Sequence, residues 1–145
     1  MEVNVTSKGR YALRVMLDLA QHPEEGFISL KTVAERQGIS MKYLEMIVGH
    51  LKKAELLEST RGKEGGYRLS RPAESYTVGE ILRSIEESLA PVSCIKDGSV
   101  NCDHASLCRT IPMWKELDDI TNAYLDSVRL NDLLDGTRWK SIDKL

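Results

Sequence analysis

The chain has 145 residues, 41% hydrophobic and 29% charged, with a formal net charge of −2; this is the composition of an ordinary globular protein, and no apolar run approaches the ~20 residues that cross a bilayer. Met1 to Arg10 hold no apolar stretch ahead of a small-residue cleavage site, so a cytoplasmic location is expected and a membrane partner is not. The net charge hides an asymmetry, since residues 1–71 carry 12 Lys and Arg against 9 Asp and Glu while residues 72–145 carry 8 against 13, and a polyanion is gripped by a local basic patch rather than by the chain total.

Residues 7–21 read as a first helix. Ser7 stands at its start as a cap, Tyr11, Leu13, Val15, Met16, Leu17, Leu19 and Ala20 populate one broad face, and His22, Pro23 and Gly26 end it. A short second helix runs over 29–37, from Ser29 as N-cap to Gly38, with Leu30, Val33 and Ala34 on one side. After only Gly38, Ile39 and Ser40 a third begins, on which Tyr43, Leu44, Ile47, Val48 and Leu51 recur at helical steps up to Ala54. Two short helices joined by so tight a glycine-containing turn form a helix-turn-helix unit. Its second member would present Ser40, Met41, Lys42, Glu45, Met46 and His50 to a major groove. A plain three-helix bundle with a solvated face fits the spacing nearly as well.

The next segment tips the balance toward DNA. Residues 56–60 and 67–70 are strand-like runs around Arg61-Gly62-Lys63-Glu64-Gly65-Gly66, a basic, glycine-rich hairpin tip. Behind a helix pair this is a wing, and Arg61 and Lys63 can reach a phosphate or the negative minor groove; a hairpin whose charges only keep it soluble is the plainer reading. Residues 77–88 predict a fourth helix with Val78, Ile81, Leu82 and Ile85 on one face. Pro91 then breaks the chain and 92–110 is expected to be loop. A longer helix over 111–128 sets Met113, Leu117, Ile120, Tyr124 and Val128 in a stripe that Trp114 widens. Such a stripe at the end of a small domain is expected to pair with a second copy, giving a homodimer whose two reading heads lie about 34 Å apart on a duplex. The expected architecture is mainly α with a small β-hairpin: a winged helix-turn-helix over 1–72, then a cysteine loop and helical dimerisation region over 73–145.

Cys94, Cys102 and Cys108 all fall in the loop. An odd, clustered set without an export signal is a poor disulfide framework, and no pair has the two-residue spacing of structural zinc or thioredoxin-like sites. Three readings stay open: iron-sulfur cluster, zinc, and thiol switch. A cluster needs four protein ligands, and His104 is the nearest nitrogen donor, with Asp97, Asp103, a partner residue or an outside molecule as other sources. No glycine-rich phosphate loop, nucleophile with a base, or paired carboxylates are found, so neither an enzyme nor a small-molecule substrate is expected.

The chain resembles the bacterial winged-helix regulators of the IscR, NsrR and CymR family. The likeness lies in Thr6-Ser7-Lys8-Gly9-Arg10-Tyr11-Ala12-Leu13-Arg14, in Ile39-Ser40-Met41-Lys42-Tyr43-Leu44-Glu45, in Arg61-Gly62-Lys63-Glu64-Gly65-Gly66-Tyr67, and further on in Thr77-Val78-Gly79-Glu80-Ile81, the cysteine loop, Trp114 and Asp132-Leu133-Leu134. It implies a homodimer on double-stranded promoter DNA, acting as a repressor whose binding follows iron-sulfur cluster status. By position, Ser40, Lys42, Tyr43 and Glu45 would lie at the groove, Arg61 would serve the wing, Lys8, Arg10 and Tyr11 would lie near phosphates, and Cys94, Cys102 and Cys108 would ligate the cluster, 2Fe-2S rather than 4Fe-4S. Nitric oxide or thiol sensing on the same fold, and a zinc-stabilised protein-interaction module, are the alternatives. Two departures stand out. Ile111 and Arg10 occupy positions where relatives place a fourth ligand, and Met46 replaces a glutamine that pairs bidentately with adenine.

Overall fold

Local signals set most of the helices. In the computed structural model, which describes residues 5–142, the chain runs α1 (Ser7–Gln21), α2 (Leu30–Gln37), α3 (Met41–Lys53), β1 (Leu57–Thr60), β2 (Gly66–Leu69), α4 (Val78–Ile85), β3 (Ile95–Lys96), β4 (Ser99–Val100), α5 (Ile111–Ser127) and α6 (Leu130–Asp135), with short 3-10 turns at Pro23–Glu25, Ala73–Ser75 and Thr137–Ile142. The outer ends of the two expected regions, 1–4 and 143–145, lie outside the described residues. Ser29 and Ser40 cap as expected, each accepting a hydrogen bond at 3.2 Å from the N–H of Thr32 and Tyr43. Gly38 closes α2 in the left-handed conformation, φ 64°, which is what lets the chain turn at once into α3. No helix among the described residues is long and apolar enough to cross a membrane.

The expectation for α1 needs correcting. Its N-cap is Thr6, not Ser7, and the Thr6 side chain makes no capping bond; that task falls to a carboxylate 80 residues away, described below.

One apolar core runs through α1, α2, α3, the hairpin, α4 and the start of α6, with Ala12, Val15, Met16, Leu44, Ile47, Leu51, Ile81 and Leu130 fully buried. Each larger side chain there contributes about 2 kcal/mol by leaving water. A second cluster of Val78, Leu82, Leu89 and Val128 joins α4 to the end of α5. Val128 therefore leaves the stripe in which its spacing put it: the helix stops at Ser127, and the Val128 carbonyl accepts from the Val78 N–H at 2.8 Å in a short bridge of 76–78 against 128–130.

β1 and β2 pair antiparallel, Leu57 opposite Leu69 and Thr60 opposite Gly66. Ile28 adds one rung, exchanging both backbone bonds with Tyr67 at 2.8 Å. A Cβ on Gly66 would sit 2.2 Å from the Ile28 carbonyl oxygen, so only glycine permits this approach. Tyr76 pins the base of the hairpin: fully buried, its hydroxyl donates to the Leu56 carbonyl at 2.7 Å and accepts from the N–H groups of Ser70 and Arg71 at 2.9 and 3.1 Å.

The 92–110 segment is not wholly loop. Asp97 and Gly98, both at positive φ (49° and 78°), turn β3 into β4 as a two-residue hairpin, and buried Ile95 anchors it. α4 is shorter than expected, because Glu86 is already extended.

Candidate nucleic-acid interface and cysteine loop

α3 divides cleanly by burial. Leu44, Ile47, Val48 and Leu51 enter the core, while Ser40, Met41, Lys42, Glu45, Met46, Gly49 and His50 face solvent. Tyr43 differs from the expected groove-facing set in being half-buried, packed edge-on against Tyr11 with ring centroids 5.8 Å apart at 88°. Arg14 lies 4.9 Å over the Tyr11 ring and donates to the carbonyl and side-chain oxygens of Gln37 at 2.7 and 3.1 Å. Beneath, the carboxylate of Asp18 is 1% exposed and accepts from Arg36 Nη2 at 2.8 Å, Arg36 Nε at 3.2 Å and Gln37 Nε2 at 2.9 Å. Arg36 also donates to Glu25 at 3.0 Å. A buried charge is tolerated only when paired and hydrogen-bonded in this way, and the network fixes α2 on α1 and thus the angle at which α3 is offered.

In the wing, Arg61 and Lys63 are exposed on either side of Gly62, whose φ of 106° forms the tip. Arg68 is held back from that tip: it pairs with Glu58 across the strands at 3.0 Å and lies 4.2 Å over Phe27. The basic character presented at the end of the hairpin therefore comes from Arg61 and Lys63.

The N-terminus of α1 meets the root of the cysteine loop at Glu86. This residue, 9% exposed, accepts on one carboxylate oxygen from the Thr6 hydroxyl at 2.6 Å, the Thr6 N–H at 3.2 Å and the Gly9 N–H at 3.1 Å. An anion at a helix N-terminus satisfies orphan N–H groups and the positive end of the helix dipole together. A Cβ on Gly9 would lie 2.5 Å from that oxygen, so a side chain there would push the Glu86 carboxylate off its donors. Lys8, half-buried, shares a cleft of about 560 Å³ with Glu86, Pro91, Ser93 and Lys96, whereas Arg10 is exposed and donates to Ser7 at 3.1 Å.

All three cysteines are free and half-buried. Burial pushes the Cys94 thiol up from its usual range, and the neighbouring Cys102 and Cys108 add to the shift. Cys108 moves the other way, its thiolate favoured by a hydrogen bond with the Thr110 hydroxyl at 3.1 Å. Among the described residues no group of three or more His, Cys, Asp or Glu is arranged to hold a metal ion. His104 is exposed, and its carbonyl accepts from the N–H groups of Leu107 and Cys108, both at 3.0 Å.

α5 packs inward through Ile111 and Asp118, and Arg83 of α4 clamps it by bonds to Asp126 at 2.7 Å and Asn122 at 2.8 Å. Met113, Leu117, Ile120 and Tyr124 are left 53, 41, 58 and 48% exposed along the opposite side.

The profile of the Rrf2 family, iron-dependent transcriptional regulators, matches residues 5–136. The chain belongs to the Rrf2 family. It is 39% identical to the HTH-type transcriptional regulator IscR of Aliivibrio salmonicida over 132 residues, 91% of this chain and 77% of that protein. Among solved structures it is similar to CymR, the global cysteine regulator of B. subtilis, with a TM-score of 0.75 at 34% identity, covering 94% of this chain and 98% of that one. It is similar also to T. potens IscR, with a TM-score of 0.72 at 36% identity, covering 97% and 91%. The expected mainly helical fold with a hairpin wing holds, and this Rrf2 protein is a DNA-binding transcriptional regulator and not an enzyme, as its relatives are named regulators. Sequence reasoning missed Asp18, Arg36 and Glu86; each is an ordinary charged residue locally, and its partners are distant along the chain.

Proposed function

We propose that this Rrf2 regulator binds promoter DNA as a homodimer and represses transcription in response to the state of an iron-sulfur cluster held by Cys94, Cys102 and Cys108. What supports the reading is three free thiols within one short segment whose root is tied to the N-terminus of α1 through Glu86, eight residues before the first cysteine. Thiolate sulfur is the ligand chemistry that iron-sulfur clusters require. Movement of the loop would have to gather the three donors around such a cluster, taken as 2Fe-2S in preference to 4Fe-4S given the likeness to IscR. His104 is the fourth donor on the same loop, to be brought in by movement of its exposed side chain. When bound, the cluster would supply lability toward oxidation and iron shortage.

DNA contact is assigned to Ser40, Lys42, Glu45 and the wing residues Arg61 and Lys63, with Lys8, Arg10, Tyr11 and Tyr43 supporting them at the phosphates. A second copy covers the apolar stripe of Met113, Leu117, Ile120 and Tyr124, since four large exposed apolar side chains in one row call for burial. Binding to promoters places the protein in the cytoplasm.

Anaerobic purification followed by visible absorption and iron and sulfide assay tests the cluster. Footprints of loaded and stripped protein on the same promoters test its role. A colourless anaerobic protein, or identical footprints, would end the sensing mechanism. The influence of Cys102 on the Cys94 thiol favours a second reading, in which a peroxide takes two electrons and two protons from the pair and leaves a disulfide. Reversible oxidation of a colourless protein with altered DNA affinity would select it.

A further inference from the structure

α3 contains a glycine that nothing among the described residues explains. Gly49 lies in the helix interior, where glycine is the poorest helix former after proline. Its φ is not positive, and a Cβ built on it meets no heavy atom of the described residues within 4 Å, its own helix backbone aside. Three other glycines contrast with it: a Cβ on Gly9, Gly66 or Gly79 would run into Glu86, Ile28 or Asp126. At about 100° per residue, the exposed residues Met41, Lys42, Glu45, Met46 and His50 fan over about half the helix circumference, and Gly49 falls close to the middle of that arc, in line with Lys42 about two turns further along.

We propose that Gly49 is the close-approach point of the DNA interface: its missing side chain lets the α3 backbone lie against the wall of the major groove, so that Lys42, Glu45 and Met46 reach base edges. The inference rests on the DNA-binding reading of α3. A recognition helix gains contacts only if its axis comes near enough to the duplex, and a methyl group at the middle of its docking face is the smallest obstacle to that approach.

The test is Gly49→Ala in the full chain, purified anaerobically beside the wild type. Alanine improves helix propensity in open space, so the variant should melt about 2–5 °C higher. Its affinity for duplexes that the wild-type protein itself selects from a random-sequence pool should fall at least about tenfold, the scale of one good base contact. Opposite signs for stability and affinity support the proposal. Unchanged affinity overturns it, and so does a variant that melts lower than wild type, because the fold itself would then need the glycine. A wild type that shows no salt-dependent binding to any part of the pool refutes the DNA-binding reading, and this inference with it.

Discussion

Glu86 offers the sharpest quantitative test of how the cysteine loop is tied to the reading head. Its single carboxylate oxygen takes three hydrogen bonds, from the Thr6 hydroxyl, the Thr6 N–H and the buried Gly9 N–H. Hydrogen bonds to a charged group contribute about 1.5–3 kcal/mol each when counted singly. Three donors on one oxygen do not add in full, and the exposed Thr6 groups can return to water, so Glu86→Ala should cost about 2–4 kcal/mol. Glu86→Gln keeps an acceptor oxygen in place and loses only the charge at the helix N-terminus, a loss of about 1 kcal/mol. The assay is urea unfolding of the metal-free protein followed by circular dichroism, with the three proteins compared at a common slope. An Ala variant within about 0.5 kcal/mol of wild type, the scatter expected of an inconsequential surface change, would refute the argument that this carboxylate caps α1.

Three further outcomes are expected. Ile120→Glu puts a charge into the exposed α5 stripe, so sedimentation should show monomers, with the monomer fold intact, while the wild type sediments as the proposed dimer; a wild type that is monomeric, or a variant that stays dimeric at micromolar concentration, refutes the proposed interface. Arg61→Ala should weaken binding to all promoter sequences about equally and flatten the salt dependence of log Kd by about one unit, as loss of one phosphate contact does; a change confined to one sequence would instead make Arg61 a base reader. In metal-free protein, Cys108 should be alkylated ahead of Cys94 as pH rises toward the ordinary thiol range, because Thr110 lowers the pKa of the first and burial with its cysteine neighbours raises that of the second. Peptide mass spectrometry over a pH series reads this order, and Thr110→Val should narrow the gap by removing the hydroxyl.

What could be seen without a structure was local. Ser29 and Ser40 followed by helical periodicity, Gly38 between them, and a glycine-rich basic stretch between two strand-like runs each act within a few residues, and each element lies within a residue or two of where those signals put it. The Asp97-Gly98 pair is a hairpin signal of the same kind, and the low apolar content around it concealed the turn. The α5 stripe was legible as far as Tyr124, because helical spacing governs the pattern until the helix ends. It failed at Val128, where a backbone bridge to Val78 draws the residue into the core.

By itself, then, the amino-acid order determined where most helices and the wing lie, which face of each helix is apolar, and that three thiols lie within one short segment; these depend on forces between neighbours. Only tertiary folding decided that Glu86 caps a helix begun at Thr6, that Asp18 holds Arg36, and that Tyr76 ties the hairpin to α4 through the Leu56 carbonyl. Such contacts join groups far apart along the chain, and their energy is gained only once the core has brought them together.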